Sequence, residues 1–308
     1  MIGKVLFVAF HYPPITVSSG VHRTLAFTRY MAEQGWGVSV LTADHKAYPS
    51  FDLAQLGSIP DKVKVISAWG KDTARDLAVR GRYFRFMSVP DRYQSWILGG
   101  VLSGLKEIRG NRPHVIVSTY PIASAHVVGY LLHRITGIPW VADFRDPMAQ
   151  EGYPEDPLIH RVFSWIERKA VKHASHLIFV TEGAKEYYLQ RYPELASAPD
   201  RVQVILNGYD EIVFQQIKAA KSTEDQPHPE GEPIDTPPST APDGRVITMV
   251  HSGLIYPVER NPEYFFSAIS ELRDEGHIQL HQIDVVLRAS GHDEFLLDLA
   301  KKHQIEAF

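Results

Sequence analysis

The chain has 308 residues, about twice the ~150 residues of a common single domain, so two domains or one large one are expected. Hydrophobic residues make up 44% and charged residues 22%, a balance that excludes a wholly disordered chain. A net charge of −4 gives no overall attraction to a nucleic-acid backbone, and the lack of cysteine removes disulfides, thiolate nucleophiles, Fe–S clusters and Cys-containing zinc sites.

Taken in order, Val5 to Phe10 form an apolar run too short for a secretory leader, and residues 4–10 read as a buried strand. Val21, Leu25, Thr28 and Ala32 then recur at helical spacing, and Gly35 and Gly37 end the helix before a second strand at 38–41. Further strands are expected at 63–66, 114–119, 140–144, 176–181 and 202–207, and helices at 94–108, 122–135, 157–172 and 184–191. The uncharged stretch 115–133 nearly reaches membrane-spanning length. Ser118, Thr119, Pro121, Ser124 and His126 interrupt it, so a strand followed by a buried helix is expected there, and no transmembrane segment.

Composition shifts at 217–244, which holds six of the 21 prolines and no aromatic, leucine or valine. That segment cannot bury enough apolar surface to offset its ordering entropy and reads as a linker or mobile loop. The rhythm resumes with strands at 246–252 and 283–289 and helices at 262–273 and 294–302. The alternation predicts an α/β protein with parallel sheets, divided into a first domain at 1–216, the linker at 217–244, and a shorter second domain at 245–308.

Polar residues gather where the predicted strands end, which is where α/β sheets bind ligands. Phe10-His11-Tyr12-Pro13-Pro14 leads through Ser18-Ser19-Gly20 into a helix whose free amides can hold an anionic or hydroxyl-rich group; a plain connection with a serine cap is the simpler reading. Asp143-Phe144-Arg145-Asp146-Pro147 sets two carboxylates around a guanidinium. The carboxylates can orient or deprotonate a sugar hydroxyl, or Arg145 can form an ion pair that locks a turn. Ser118-Thr119-Tyr120-Pro121 offers hydroxyls, while His126 in its apolar helix reads as a core histidine.

Asn207-Gly208 tolerates left-handed dihedrals and serves as a hinge or a turn. Gly253 would let backbone approach a pyrophosphate that Arg260 and a helix N-terminus attract. Arg75, Arg80, Arg82 and Arg85 are interleaved with Tyr83, Phe84 and Phe86; this reads as a solvated helix face or as contact with an anionic membrane surface. No motif carries metal-ligand spacing, no G-x-G-x-x-G marks a dinucleotide fold, and no G-x-S-x-G elbow marks a hydrolase.

Together, in order, 10–14, Pro90-Asp91, Trp96, 118–126, 143–147, Asn207-Gly208-Tyr209-Asp210, His251-Ser252-Gly253 and Arg260-Asn261-Pro262 resemble the GT-B glycosyltransferases, specifically the family-4-like enzymes of bacterial polysaccharide assembly. The resemblance implies two Rossmann-like domains with a cytoplasmic or membrane-peripheral location. It implies a retaining, metal-independent transfer of sugar from a UDP- or GDP-sugar to a polysaccharide or lipid-linked acceptor, with no cofactor and no nucleic-acid partner. His11, Ser19, Gly20 and Tyr120 then belong to the acceptor side, Asp143, Arg145 and Asp146 to the catalytic centre, Gly253 and Arg260 to the donor side, and Asn207 with Gly208 to the hinge. The family's Glu-x7-Glu donor motif has no counterpart up to Phe308, so the second domain is expected to be incomplete. A catalytically incomplete acceptor-binding protein and a nucleotide-sugar epimerase of the same fold are the alternatives.

Overall fold

The computed structural model describes residues 2–16, 20–209, 214–215, 246–255, 257, 261–279 and 282–306. The chain divides into two compact units, Met1–Thr223 and Glu224–Phe308; the expected linker at 217–244 lies outside the described residues.

In the first unit, β1 (Lys4–Ala9), α1 (Gly20–Glu33), β2 (Gly37–Ala43) and β3 (Val63–Ala68) are followed by α2 (Trp96–Gly110), β4 (Val115–Thr119), α3 (Ala123–Thr136) and β5 (Trp140–Arg145). Then come α4 (Pro157–His173), β6 (His176–Phe179), α5 (Glu182–Arg191), α6 (Pro193–Ala196) and β7 (Val202–Val204). The seven strands are parallel, in the order β3-β2-β1-β4-β5-β6-β7. Chain progress reverses between β1 and β4, and a crevice opens beyond the carboxyl ends of strands at such a reversal.

The continuous apolar run of β1 follows from burial on both faces. Leu6, Val8 and Phe10 join Trp96, Val128, Leu132 and Ile166 in one core, while Val5, Phe7 and Ala9 join Leu25 and Ala32 in the other. Helix α3 lies close on the sheet because Gly129 has no side chain: a Cβ there would sit 2.8 Å from Ser118 Cβ and from Trp140 Nε1.

Several expected boundaries move for identifiable reasons. The strand expected at 176–181 stops at Phe179 because Thr181 caps α5, accepting from Ala184 N at 3.1 Å. The strand expected at 202–207 stops at Val204, since the Leu206 carbonyl and the Asn207 side chain both bind Arg23. The arginines at 75–85 do not share a helix face. They fall on a one-turn segment at Thr73–Leu77, a bridge between Val79 and Arg82, and a 3-10 turn at Arg85–Ser88. Arg75 is held by Asp76 and the Tyr48 carbonyl, and Arg85 by Asp156.

The turn after β5 hangs on one buried carboxylate. Glu167 of α4 is fully buried and accepts from Met148 N (3.2 Å), Ala149 N (2.8 Å), the Tyr192 hydroxyl (2.8 Å) and the Tyr188 hydroxyl. Arg191 lies 3.7 Å away and offsets its charge.

The second unit contains β8 (Ile247–Ser252), α7 (Glu263–Asp274), β9 (Ile283–Arg288) and α8 (Asp293–Lys302). Among the described residues its sheet has two parallel strands, fewer than a full Rossmann-like sheet. Phe266, Ile269, Leu296 and Leu299 form its core, and every residue of β8 is exposed.

Glu167→Ala leaves four buried donors and a guanidinium without their acceptor. Urea denaturation should report a loss of about 3–5 kcal/mol, whereas Glu186→Ala on α5 should stay within about 0.5 kcal/mol.

Candidate functional site

Register brings the strand ends level. Ala9 pairs with Thr119 and Thr119 with Asp143, so the residues following β1, β4 and β5 emerge together at the reversal point. His11, Tyr120, Asp143, Arg145 and Asp146 all lie on this edge, and Gly20 opens the helix that follows β1. Ser19 and Arg260 lie outside the described residues.

At the centre is a residue that sequence reading did not single out, Arg23. Its Nη2 and Nε donate to Asp143 Oδ1 and Oδ2 at 3.1 and 3.2 Å, and its Nη1 donates to the Leu206 carbonyl (3.1 Å) and Asn207 Oδ1 (3.3 Å). Its guanidinium also stands 4.7 Å from the centroid of the Phe27 ring. One signal was present in the sequence: an arginine in the first turn opposes the helix dipole and therefore calls for an acceptor from elsewhere in the fold.

Asp143 has 2% side-chain exposure, and Thr119 Oγ1 also donates to its Oδ2, at 2.9 Å. Both carboxylate oxygens are therefore occupied. Asp143 pairs with Arg23, not with its neighbour Arg145, which corrects the turn-locking pair considered for Arg145.

Arg145 stands apart from this pair. It is a non-glycine residue at φ +64°, placed at a register shift between β5 and β6. Its Nη1 donates to the Tyr120 carbonyl at 3.3 Å, and among the described residues no carboxylate lies within ion-pair distance of it. Burial, opposed by Asp143 and Asp146 and reinforced by Arg23, pulls its pKa below the ordinary arginine value. Arg145 lines a cavity of about 430 Å³ with His22, Arg23, Phe27, Leu206, Asn207, Gly208 and Tyr209.

Neither Asn207 nor Gly208 has a positive φ, so the left-handed dihedrals that this pair tolerates are not used; the Leu206 carbonyl and Asn207 Oδ1 are held by Arg23 instead.

His11 is lowered to about 4, first by burial and then by the charge of Arg145, so it is neutral near pH 7. Asp146 is exposed. Burial raises the Tyr120 hydroxyl, as do Tyr153 and the charges of Asp91 and Asp146, so it remains a protonated donor.

Behind the edge, Trp140 Nε1 donates to Ser118 Oγ at 2.7 Å, and Ser118 Oγ lies 2.8 Å from His126 Nδ1. Ser118 Oγ thus bridges the indole and the imidazole, while His126 Nε2 is buried with no hydrogen-bond partner among the described residues. His126 is fully buried and lowered to about 3 by burial. Asp91, from the loop before α2, accepts from Ser124 N at 2.7 Å and serves as a distant cap for α3.

In the second unit, Gly253 follows β8 with φ +139°, and its N–H donates to the Arg288 carbonyl at 3.0 Å. A Cβ there would meet nothing nearer than His251 Nε2 at 4.0 Å, so the dihedral, not crowding, favours glycine. Among the described residues no three His, Asp or Glu side chains converge as a metal cage, and no helix is long and apolar enough to cross a membrane.

Residues 20–208 match the family profile described as Glycosyl transferase 4-like domain. A 90-residue stretch is 34% identical to alpha-maltose-1-phosphate synthase of Mycolicibacterium smegmatis; it covers 29% of this chain and 23% of that one. The chain thus matches less than a quarter of this curated relative.

Among solved structures, sucrose-phosphate synthase from Thermosynechococcus elongatus superposes with a TM-score of 0.61 at 14% identity, covering 98% of this chain and 68% of that one. Anabaena HepE, solved with UDP and glucose, gives 0.56 at 12% identity, covering 99% and 67%.

Two tests follow from the site's electrostatics. Arg23→Leu strands the Asp143 charge in the interior and should lower unfolding free energy by about 3–5 kcal/mol, with Arg23→Leu/Asp143→Leu recovering a large part of it. His11 and His126 are neutral in the folded chain down to about 4 and about 3. The unfolded chain, with histidines near 6.5, takes up their protons first as pH falls. Stability measured in urea should therefore decline from pH ~6.5 to ~4, by up to about 1.4 kcal/mol per pH unit for each histidine; His126→Asn should flatten the slope.

Proposed function

Because the chain belongs to the glycosyl transferase 4-like family, we propose that it is a retaining glycosyltransferase that moves a sugar from a UDP- or GDP-sugar to a polysaccharide or lipid-linked acceptor. One observation carries the reading for this chain: Arg145, partly desolvated and with no carboxylate at ion-pair distance among the described residues, lines a cavity between α1 and the segment after β7, at the carboxyl edge of the sheet. A cation fixed in that way stabilises negative charge that develops during reaction, because little reorganisation remains to be done. The uridine nucleotide held by the HepE structure makes a UDP-sugar the first donor to test.

In this reading the bond from the anomeric carbon to the diphosphate oxygen breaks, and the nucleoside diphosphate leaves with the electron pair. The acceptor hydroxyl oxygen bonds to the anomeric carbon, and its proton passes to the Asp146 carboxylate or to the departing diphosphate. Asp146 is the better base because it is exposed; Asp143, occupied by Arg23 and Thr119, acts as a positioning residue. Neutral His11 and the protonated Tyr120 hydroxyl hydrogen-bond the acceptor's hydroxyl groups. Gly253, with Arg260, belongs to the donor side, and the segment at Asn207 and Gly208 is the hinge.

The chain is incubated with radiolabelled UDP-glucose or GDP-mannose and a bacterial lipid and glycan extract. Label should enter an acceptor product with the donor's anomeric configuration, read by proton NMR. Arg145→Gln should lower kcat/KM by about 10²–10³ and Asp146→Asn by about 10²–10⁴, with thermal midpoints unchanged. Interconversion of the nucleotide sugar with no acceptor present would establish the epimerase reading instead.

A further inference from the structure

Helix α4 carries its exposed cations on one stripe. Arg161, Trp165, Arg168 and Lys172 follow at spacings of four, three and four residues, which places them on one side of the helix. All four are exposed, with Trp165 at 39%. Lys169 stands beside them, its Nζ 5.5 Å from the Trp165 ring and 5.9 Å from the Tyr130 ring. The end of α3 adds exposed Arg134 and Ile135, the latter at 60%. Among the described residues, none of these five cations has a carboxylate within ion-pair distance.

Two acids of the region are engaged elsewhere: Asp156 binds Arg85, and Glu167 is buried on the opposite side of α4. In the adjoining groove of about 530 Å³, Glu155 lies alongside His160, Arg161 and Arg168. The local field is felt by His173, which burial and then Arg134, Lys172, His133 and Lys169 push below the ordinary histidine value. A chain with net charge −4 has thus gathered unpaired positive charge on one face.

We propose that this face of α3 and α4 docks on an anionic phospholipid surface. Cations around exposed rings suit the headgroup layer, where ammonium and guanidinium groups meet lipid phosphates and the apolar bodies enter the acyl boundary. Ile135 and Trp165 favour lipid over a nucleic acid or another soluble polyanion, whose charged backbone would leave the isoleucine in water. The arginine loop at 75–85 is the weaker candidate, since Arg75 and Arg85 are already paired with Asp76 and Asp156. The inference stands independently of the proposed transfer reaction.

The test is co-sedimentation with vesicles of phosphatidylcholine alone and of phosphatidylcholine with one-third phosphatidylglycerol, at low and high salt. The protein should sediment with the anionic vesicles only, and high salt should release it. Arg161→Gln/Arg168→Gln/Lys172→Gln should weaken binding by about 100-fold, roughly fivefold per charge, with an unchanged thermal midpoint. Trp165→Ala should weaken it further, whereas Arg80→Gln/Arg82→Gln should leave it intact. Undiminished binding by the triple variant, equal binding to neutral vesicles, loss of binding in the Arg80/Arg82 variant, or retention on heparin without vesicle binding would each overturn the proposal.

Discussion

The first unit depends on a buried charge pair. Arg23 and Asp143 are 120 residues apart in sequence, and their contact ties the first turn of α1 to the end of β5 and to the segment after β7. Neither charge is tolerable alone in the interior, and together with Thr119, Leu206 and Asn207 they make five hydrogen bonds. Such a pair contributes little net stability compared with apolar packing. It does fix which elements meet, because any other arrangement leaves an uncompensated charge inside.

That constraint sets the electrostatics of the neighbouring edge. With Asp143 engaged by Arg23, Arg145 has no carboxylate at ion-pair distance among the described residues, and its charge helps keep His11 neutral. The register shift between Asp143 and Arg145 turns the second side chain out of the ladder toward the cavity. Two arginines and two aspartates within a short distance thereby take different parts. One pair is structural and buried, while a cation and an exposed carboxylate remain available at the sheet's reversal point.

Helix α4 shows the same division on a larger scale. Its inner side carries Glu167, which gathers two tyrosine hydroxyls, two backbone amides and Arg191 and so positions the turn after β5. Its outer side carries Trp165 and exposed cations with no carboxylate at ion-pair distance among the described residues. The amphipathic pattern of this helix therefore separates a folding function from a surface function.

By itself the sequence determined the α/β alternation, the apolar strands and the polar residues at strand ends, because burial periodicity depends on neighbours a few residues away. It also placed Asp143, Arg145, Tyr120 and His11 at strand ends, and the parallel sheet brings these to one edge. It did not determine that Asp143 binds Arg23, that Asp91 caps a helix 33 residues later, that Asn207 joins the Arg23 contacts, or that the arginines at 75–85 fall on separate short elements. Those outcomes rest on strand order and register, which bring together residues far apart in the chain. Charge identity along a sequence says that a partner is needed; only the tertiary structure decides which partner it is.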